Sequence, residues 1–243
     1  MKFAVKTEIG KRAHNEDSYL LPDGEALPLL FAVADGMGGH AAGAVASGIV
    51  VEKLNETSAS DFSEHEIEQL IGAIQRANLA VFEAAEADKT LFGMGTTLVC
   101  ALVLGKSYLA ANVGDSRLYY FDGKTLERVT TDHSLVEQLV QSGVITREEA
   151  KYHPHRNIIT RGVGLSPAVD VDVFEREWSA GDILLLCSDG LHGALEDEEM
   201  IAVLSSEQSL DEMCEELVQL ALSNGSTDNI TLVLVRREEG DLL

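Results

Sequence analysis

The stretch TTLVCALVLGKSYLAANVGDSRLYYF, residues 96–121, decides the fold class. It reads as three apolar strands, over 96–104, 107–113 and 117–121, parted by Gly105-Lys106 and by Gly114-Asp115. Connections this short leave no room for a crossover helix, so neighbouring strands must run antiparallel. Asp122-Gly123 then turns the chain into a further strand over 126–129.

Outward from this block, the N-terminal third reads as strands over 2–7, 18–21 and 29–34, followed by a helix over 41–55. A second helix opens on a capping box, Ser63 with Glu66, and carries Ile67, Leu70, Ile71, Ile74 and Val81 on one face. The C-terminal third supplies strands over 168–174 and 183–187, helices over 198–204 and 209–223, and a closing strand over 230–235. Strands grouped with strands, and helices paired between them, define an α+β protein. The expected architecture is a sandwich of two mostly antiparallel β-sheets flanked by α-helices on both outer faces. Residues 134–160 break the pattern with two short capped helices (Ser134/Glu137 and Thr146/Glu149) and are expected to form a small, mobile flap subdomain.

At 243 residues and 45% hydrophobic content, with no linker-like tract, the chain is expected to form one domain over 1–243. Its start, MKFAVKTEIGK, is not a secretory signal, and its longest apolar run, 98–104, is far short of the about 20 residues of a spanning helix. Cys100, Cys187 and Cys214 lack metal-ligand spacing and read as core residues in a reducing compartment. A cytoplasmic monomer is expected. Eighteen basic against 41 acidic residues leave a net charge of −23, a field that opposes both nucleic acid and anionic membranes. Most of the excess lies in 83–88, 196–199 and 211–216, where solvated helix faces account for it.

Four aspartates stand where apolar runs meet turn-forming residues: Asp35 in FAVADGMGG, Asp115 in LAANVGDSR, Asp189 in ILLLCSDG and Asp228 in STDNITLVLV. Carboxylates fixed at such ends are rigid yet reachable from a loop. Gathered together they repel one another unless cations lie among them, and none of the four segments holds a lysine. An oxygen-only ligand set suits Mg²⁺ or Mn²⁺ better than zinc. Singly, each has a plainer reading: an Asp-Gly turn, a pairing of Asp115 with Arg117, or a turn opened by Asp228. The metal reading rests on the set.

Eight short motifs follow in order along nearly the whole chain: RAHNED at 12–17, DGMGGH at 35–40, GTT at 95–97, GDSR at 114–117, DHS at 132–134, TRG at 160–162, SDG at 188–190 and TDN at 227–229. In this order they resemble the metal-dependent serine/threonine protein phosphatases of type 2C (the PPM family), in their compact bacterial form. The resemblance implies hydrolysis of phosphoserine and phosphothreonine in proteins by a water activated on two metal ions, Mn²⁺ or Mg²⁺, without a phospho-enzyme. It implies that Asp35 bridges the ions, that Asp189 and Asp228 complete one site, and that Glu16 and the Gly36 carbonyl help hold the other. Asp17 would sit close by, Arg12 would bind the substrate phosphate, and Asn229 would orient its neighbouring ligand. Asp115, with Asp189, matches a third metal position. Implied partners are phosphorylated proteins, among them a serine/threonine kinase and its substrates, and relatives carry a variable flap at 134–160.

Two positions depart from the pattern. Met37 stands where eukaryotic relatives place a histidine, and Ala44 where bacterial members often carry an acid. His40 is left with two readings, a general acid or a cap on the following helix. Among competing functions, a nuclease is opposed by the acidic charge and the lack of a basic strip. A non-catalytic scaffold typically loses metal carboxylates, and all are present. A Walker phosphate loop is excluded because DGMGG lacks the Lys-Ser/Thr ending. A dedicated regulator, for instance of an anti-sigma-factor antagonist, would run the same reaction on a narrower substrate.

Overall fold

The computed structural model describes residues 1–38, 42–57, 62 and 65–241. Among them, β1 (Lys2–Glu8), β11 (Ile230–Arg236), β10 (Ile183–Cys187), β7 (Arg117–Phe121) and β8 (Leu126–Arg128) lie side by side in that order. A second sheet orders β2 (Asp17–Leu20), β3 (Leu29–Met37), β5 (Leu98–Val103), β6 (Ser107–Val113) and β9 (Asp172–Glu177), with the two-residue β4 (Gly95–Thr96) paired to the end of β3. Every pairing is antiparallel.

Side-chain alternation builds the layers. Phe31, Val33, Val99 and Ala101 from the second sheet meet Leu184, Leu186, Val233 and Val235 from the first, forming the interior of the sandwich. The opposite face of the second sheet (Ala32, Leu98, Cys100, Leu102) packs under α1 (Ala42–Asn55) and α2 (Glu66–Ala87). The outer face of the first (Leu185, Cys187, Leu232, Leu234) packs under α5 (Asp189–His192), α6 (Asp197–Leu204) and α7 (Leu210–Ser223). The sandwich with helices on both outer faces is therefore as the pattern implied, and the central strands read as unbroken apolar runs because both faces are covered. All three cysteines are buried and unpaired. No described helix is long and apolar enough to cross a membrane.

Four local expectations fail, each for a physical reason. The strand expected over 96–104 breaks at Thr97, between β4 and β5, without a change of register along β3. The strand expected over 168–174 starts only at Asp172, because Val169 is buried against α2 and its backbone bonds to Gln75. That strand then runs on through Glu175, Arg176 and Glu177, charged residues tolerated because β9 is a sheet edge. The second helix begins at Glu66 after a left-handed His65, so Glu66 is not the third residue of a box; Ser63 lies outside the described residues.

The flap holds α3 (Leu135–Gln141) and α4 (Arg147–Lys151). Thr146 and Glu149 form the full reciprocal cap, whereas the box at Ser134 is half made. The Ser134 hydroxyl accepts the Glu137 N–H at 3.2 Å, but the Glu137 carboxylate is drawn inward to Arg128 at 3.1 Å and Arg147 at 3.2 Å. Charge-assisted bonds to two guanidinium groups outcompete one backbone N–H. Arg147, its side chain still 62% exposed, thereby also helps to fasten the flap.

Candidate metal centre

Strand pairing alone brings two carboxylates face to face: Asp17 of β2 is the direct cross-strand partner of Asp35 of β3. Like charges so placed are destabilising. Asp189 opens α5 where β10 ends, Asp228 precedes β11, and Asp115 lies in the turn between β6 and β7. The ends of these strands deliver all five to one cluster. Burial first, then Asp17, Asp189, Asp115 and Asp228 in that order, drives the Asp35 carboxyl well above the usual carboxylate range. Burial pushes Asp17 up to about 7 despite hydrogen bonds from Thr231 and Ser188. Asp115 is pushed up to about 7 by burial, with Asp189 and Asp132 adding to it. Asp189 rises through burial and the nearby Asp228.

Neutral donors hold these groups in place. The Asp35 N–H donates to the Thr97 hydroxyl at 3.0 Å, while the Asp35 carbonyl accepts the Thr97 N–H at 2.8 Å and the Thr96 hydroxyl at 2.8 Å. This is why the ladder breaks at Thr97: its side chain replaces its carbonyl as the acceptor. Thr97 is buttressed in turn by Ser116, hydroxyl to hydroxyl at 2.7 Å. Next to Asp35, a Cβ on Gly36 would run into the Gly43 carbonyl and the Glu16 carbonyl, so only glycine admits α1 and β2 this close to the end of β3. The Gly36 N–H donates to the Glu16 carbonyl at 3.1 Å, which also accepts the Ser47 hydroxyl at 2.6 Å.

Asn229 acts on the loop before β2 through backbone groups. Its side-chain oxygen accepts the Glu16 N–H at 2.9 Å and its amide donates to the carbonyls of Ile9 and His14, at 2.9 and 3.1 Å. The loop carrying Arg12 and Glu16 is thus pinned to the start of β11. Arg12 contacts Asp228 at 2.6 Å with its side chain 58% exposed, which leaves the rest of the guanidinium open to solvent. Arg117 does not pair with Asp115. It clasps Asp132, at 2.7 Å from one nitrogen and 3.0 Å from another, so the plainer reading of Asp115 falls away. Asp122-Gly123, by contrast, is a turn and nothing more: Asp122 accepts the N–H groups of Lys124 and Thr125.

Among the described residues, no three His, Cys, Asp or Glu side chains already close around an ion's position. The carboxylates lean on local donors instead: Asp228 on Arg12 and Asp17 on Ser188 at 2.8 Å. Yet Asp17 Oδ1 and Asp189 Oδ1 are buried with no hydrogen-bond partner among the described residues. A buried, unsatisfied carboxylate oxygen costs about 1–3 kcal/mol or more, and two of them among five crowded acids fit a divalent cation taken up by oxygen ligands. The residues present therefore suit Mg²⁺ or Mn²⁺.

Asp17, Asp35, Asp115, Asp189 and Asp228 interact at this pole; Glu16, Gly36, Arg12 and Asn229 border it; His40 lies outside the described residues. Sequence reasoning gave no role to Ser188, Thr97, Ser47, Gly43 or His192. Ser188 and Thr97 were already inside the motifs SDG and GTT, and a hydroxyl beside a buried carboxylate was the available signal. Nothing local marked Ser47 or Gly43, which act on partners about thirty residues or fewer away in sequence only because α1 packs across the end of β3.

Comparison with known proteins agrees with this geometry. Residues 6–230 match the profile of the family described as Protein phosphatase 2C. The serine/threonine phosphatase stp of Listeria welshimeri is 41% identical over 98% of this chain and 96% of its own length. A crystal structure of a bacterial serine phosphatase superposes with a TM-score of 0.92 at 40% identity, covering 98% of both chains. The catalytic domain of the serine/threonine protein phosphatase PstP, in a structure with two manganese ions, superposes at 0.85 with 36% identity over 96% of each chain. The chain belongs to the protein phosphatase 2C family, in its compact bacterial form, and is a metal-dependent serine/threonine phosphatase.

The raised carboxyls set a pH dependence. A group whose folded pKa lies above its unfolded value stabilises the fold fully below the unfolded value, here 3.8 for Asp17, and loses that contribution as pH rises to about 7. The chelated protein is therefore expected to melt roughly 5 °C lower at about pH 8 than at about pH 5. Mn²⁺ should raise the melting temperature more at the higher pH, where its ligands are ionised. Asp35→Asn should raise the melting temperature of the chelated protein and abolish the gain from Mn²⁺. Differential scanning calorimetry with and without chelator checks all three.

Proposed function

We propose that this chain hydrolyses phosphoserine and phosphothreonine in proteins, with two divalent cations at the carboxylate pole and without a phospho-enzyme intermediate. The observation that carries the reading is the pair of buried oxygens, Asp17 Oδ1 and Asp189 Oδ1, left without a partner among the described residues, in a crowd of acids beside an exposed guanidinium. Asp35 would bridge the ions; Asp189 and Asp228 would complete one position, and Glu16 with the Gly36 carbonyl the other. Asp115 with Asp189 would offer a third. When bound, such ions acidify a coordinated water and offset the charge of a phosphoryl group.

The protein's own part is to hold and orient. Thr96 and Thr97 fix the Asp35 backbone from both sides, so the carboxylate is presented without reorganisation. Arg12 has donors open to solvent next to Asp228, where a substrate phosphate would accept two parallel N–H bonds. No thiol competes as nucleophile among the described residues, since all three cysteines are buried and pushed up to about 12 by that burial. His40 is the sequence's candidate for protonating the leaving alkoxide. The substrates are phosphorylated proteins of a cytoplasmic kinase system; the net charge of −23 supports this over any polyanionic substrate.

Phosphopeptide turnover should be lost on exhaustive chelation and in Asp35→Asn, and return with Mn²⁺ or Mg²⁺ far better than with Ca²⁺, whose looser shell misplaces the water. Turnover by chelated enzyme would sink the proposal, and cleavage of DNA in place of the peptide would redirect it. Arg12→Ala should cost about 2–3 kcal/mol in kcat/KM, mostly through KM, because the lost contact is a charge-assisted one to bound phosphate. No change in either constant would leave Arg12 only its ion pair with Asp228.

We also assign substrate selection to the flap, residues 134–160. Tyr152 is 77% exposed and Val144 67%, apolar surface with no partner shown in the described residues. Tyr152→Ser should lower kcat/KM for a phosphoprotein severalfold while p-nitrophenyl phosphate turnover stays level. Equal loss on both substrates would mean that the segment serves the metal pole instead.

A further inference from the structure

Asp115 lies outside the two strands that flank it. It follows Gly114, whose φ of +108° only glycine tolerates well, and it sits in the turn between β6 and β7. The Gly114 half of that turn is tied twice to His133: the Gly114 N–H donates to His133 Nδ1 at 3.0 Å, and the His133 N–H donates to the Gly114 carbonyl at 2.8 Å. On the Asp115 half, the next residue, Ser116, meets Thr97 hydroxyl to hydroxyl at 2.7 Å, and the Asp115 backbone itself is fastened from α5. His192 Nε2 lies 2.9 Å from the Asp115 carbonyl.

The chemistry of this contact is unambiguous in direction. A carbonyl only accepts, so Nε2 must carry the proton and donate it. His192 is half-buried near Arg117 and Arg128, and the contact with a carbonyl needs only that Nε2 carry a proton, which this tautomer and the charged ring both supply. The sequence places the donor where it is needed. His192 is the third residue after Asp189, and in the single turn of α5 residues three apart share a face. One short helix thus presents a metal-pole carboxylate at its first residue and a clamp for a second carboxylate's backbone at its last.

We propose that His192 is a positioning residue that sets Asp115 against Asp189, so that the two can serve one divalent cation. The inference rests on the reading of Asp115 and Asp189 as a shared cation position. It requires only that the Asp115 carbonyl be able to rotate between its fixed neighbours Gly114 and Ser116 once the clamp is gone, which the glycine before it permits.

Mn²⁺ binding by isothermal titration calorimetry, on wild type, His192→Leu, His192→Gln, Asp115→Ala and the double variant, decides the matter without any turnover measurement. Glutamine carries its amide nitrogen at about the reach of imidazole Nε2 and keeps a donor; leucine fills space without one. The expected result is that His192→Leu weakens the weakest Mn²⁺ site about tenfold and leaves the tighter binding unchanged. His192→Gln should restore it to within about threefold of wild type. The double variant should bind like Asp115→Ala alone, because a clamp has nothing to act through once its carboxylate is gone. Additive losses in the double variant would overturn the proposal, as would equal Mn²⁺ binding by His192→Leu and wild type. A general fall in melting temperature shared by leucine and glutamine variants, with Mn²⁺ binding intact, would overturn it too and leave His192 a packing residue. Should the wild type bind Mn²⁺ but fail to hydrolyse phosphopeptide, the proposed function fails while the calorimetric comparison still decides the role of His192.

Discussion

Carboxylates that face each other across a strand pair repel, and in this chain Asp17 and Asp35 do so with Asp115, Asp189 and Asp228 close at hand. Burial and mutual repulsion raise the Asp17, Asp35, Asp115 and Asp189 carboxyls together, and the surrounding structure is organised to sustain that crowding. Both sheets end their central strands at this pole, so the acids are attached to the least deformable part of the fold. The two hydrophobic layers outside the sheets, Leu98, Cys100 and Leu102 under α1 and α2, and Leu185, Cys187 and Leu232 under α5 to α7, keep those strand ends from splaying. Folding free energy gathered over the whole sandwich is spent holding a handful of side chains in a place they would leave if free.

The means of restraint are mostly neutral. Hydroxyls of Thr96, Thr97, Ser47 and Ser188, the amide of Asn229, and the bare backbones of Gly36 and Gly43 surround the acids without cancelling their charge. Full neutralisation by lysine or arginine would stabilise the fold and leave no reason to bind a cation. The positive side chains nearby are instead directed elsewhere: Arg117 to Asp132, Arg128 and Arg147 to Glu137. Arg12 alone among these meets one of the crowded acids, from the solvent side.

How much of this could be read from the chain follows from which forces are local. β3, β6, β7, β10 and β11 were legible because a strand covered on both faces leaves a continuous apolar run, and their bounding glycines and aspartates mark where each one stops. β9 was misplaced because an edge strand needs no such run; four of the six residues in its DVFERE are charged. The acids themselves were visible at strand ends, whereas their convergence depends on which strands neighbour which, and spacing does not report that. The break at Thr97 depends on a hydroxyl reaching across to Asp35, sixty-two positions earlier in the chain. Glu137 shows the same limit: by local rules it completes a cap, and only the folded chain reveals two guanidinium groups competing for it.

The placement of the three thiols has a bearing on when this phosphatase can work. Cys100 and Cys187 lie inside strands beneath helices on opposite outer faces, Cys214 lies inside α7, and none takes part in the carboxylate pole. Peroxide inactivates enzymes whose chemistry depends on an exposed, low-pKa thiolate. The proposed centre of oxygen ligands and one guanidinium would offer no such target, and thiols raised to about 12 by burial are poor nucleophiles toward an oxidant. With such a centre, removal of phosphate from serine and threonine by this chain would be insulated from oxidative episodes that halt a cysteine-based counterpart, and the two chemistries in one cell would diverge under stress.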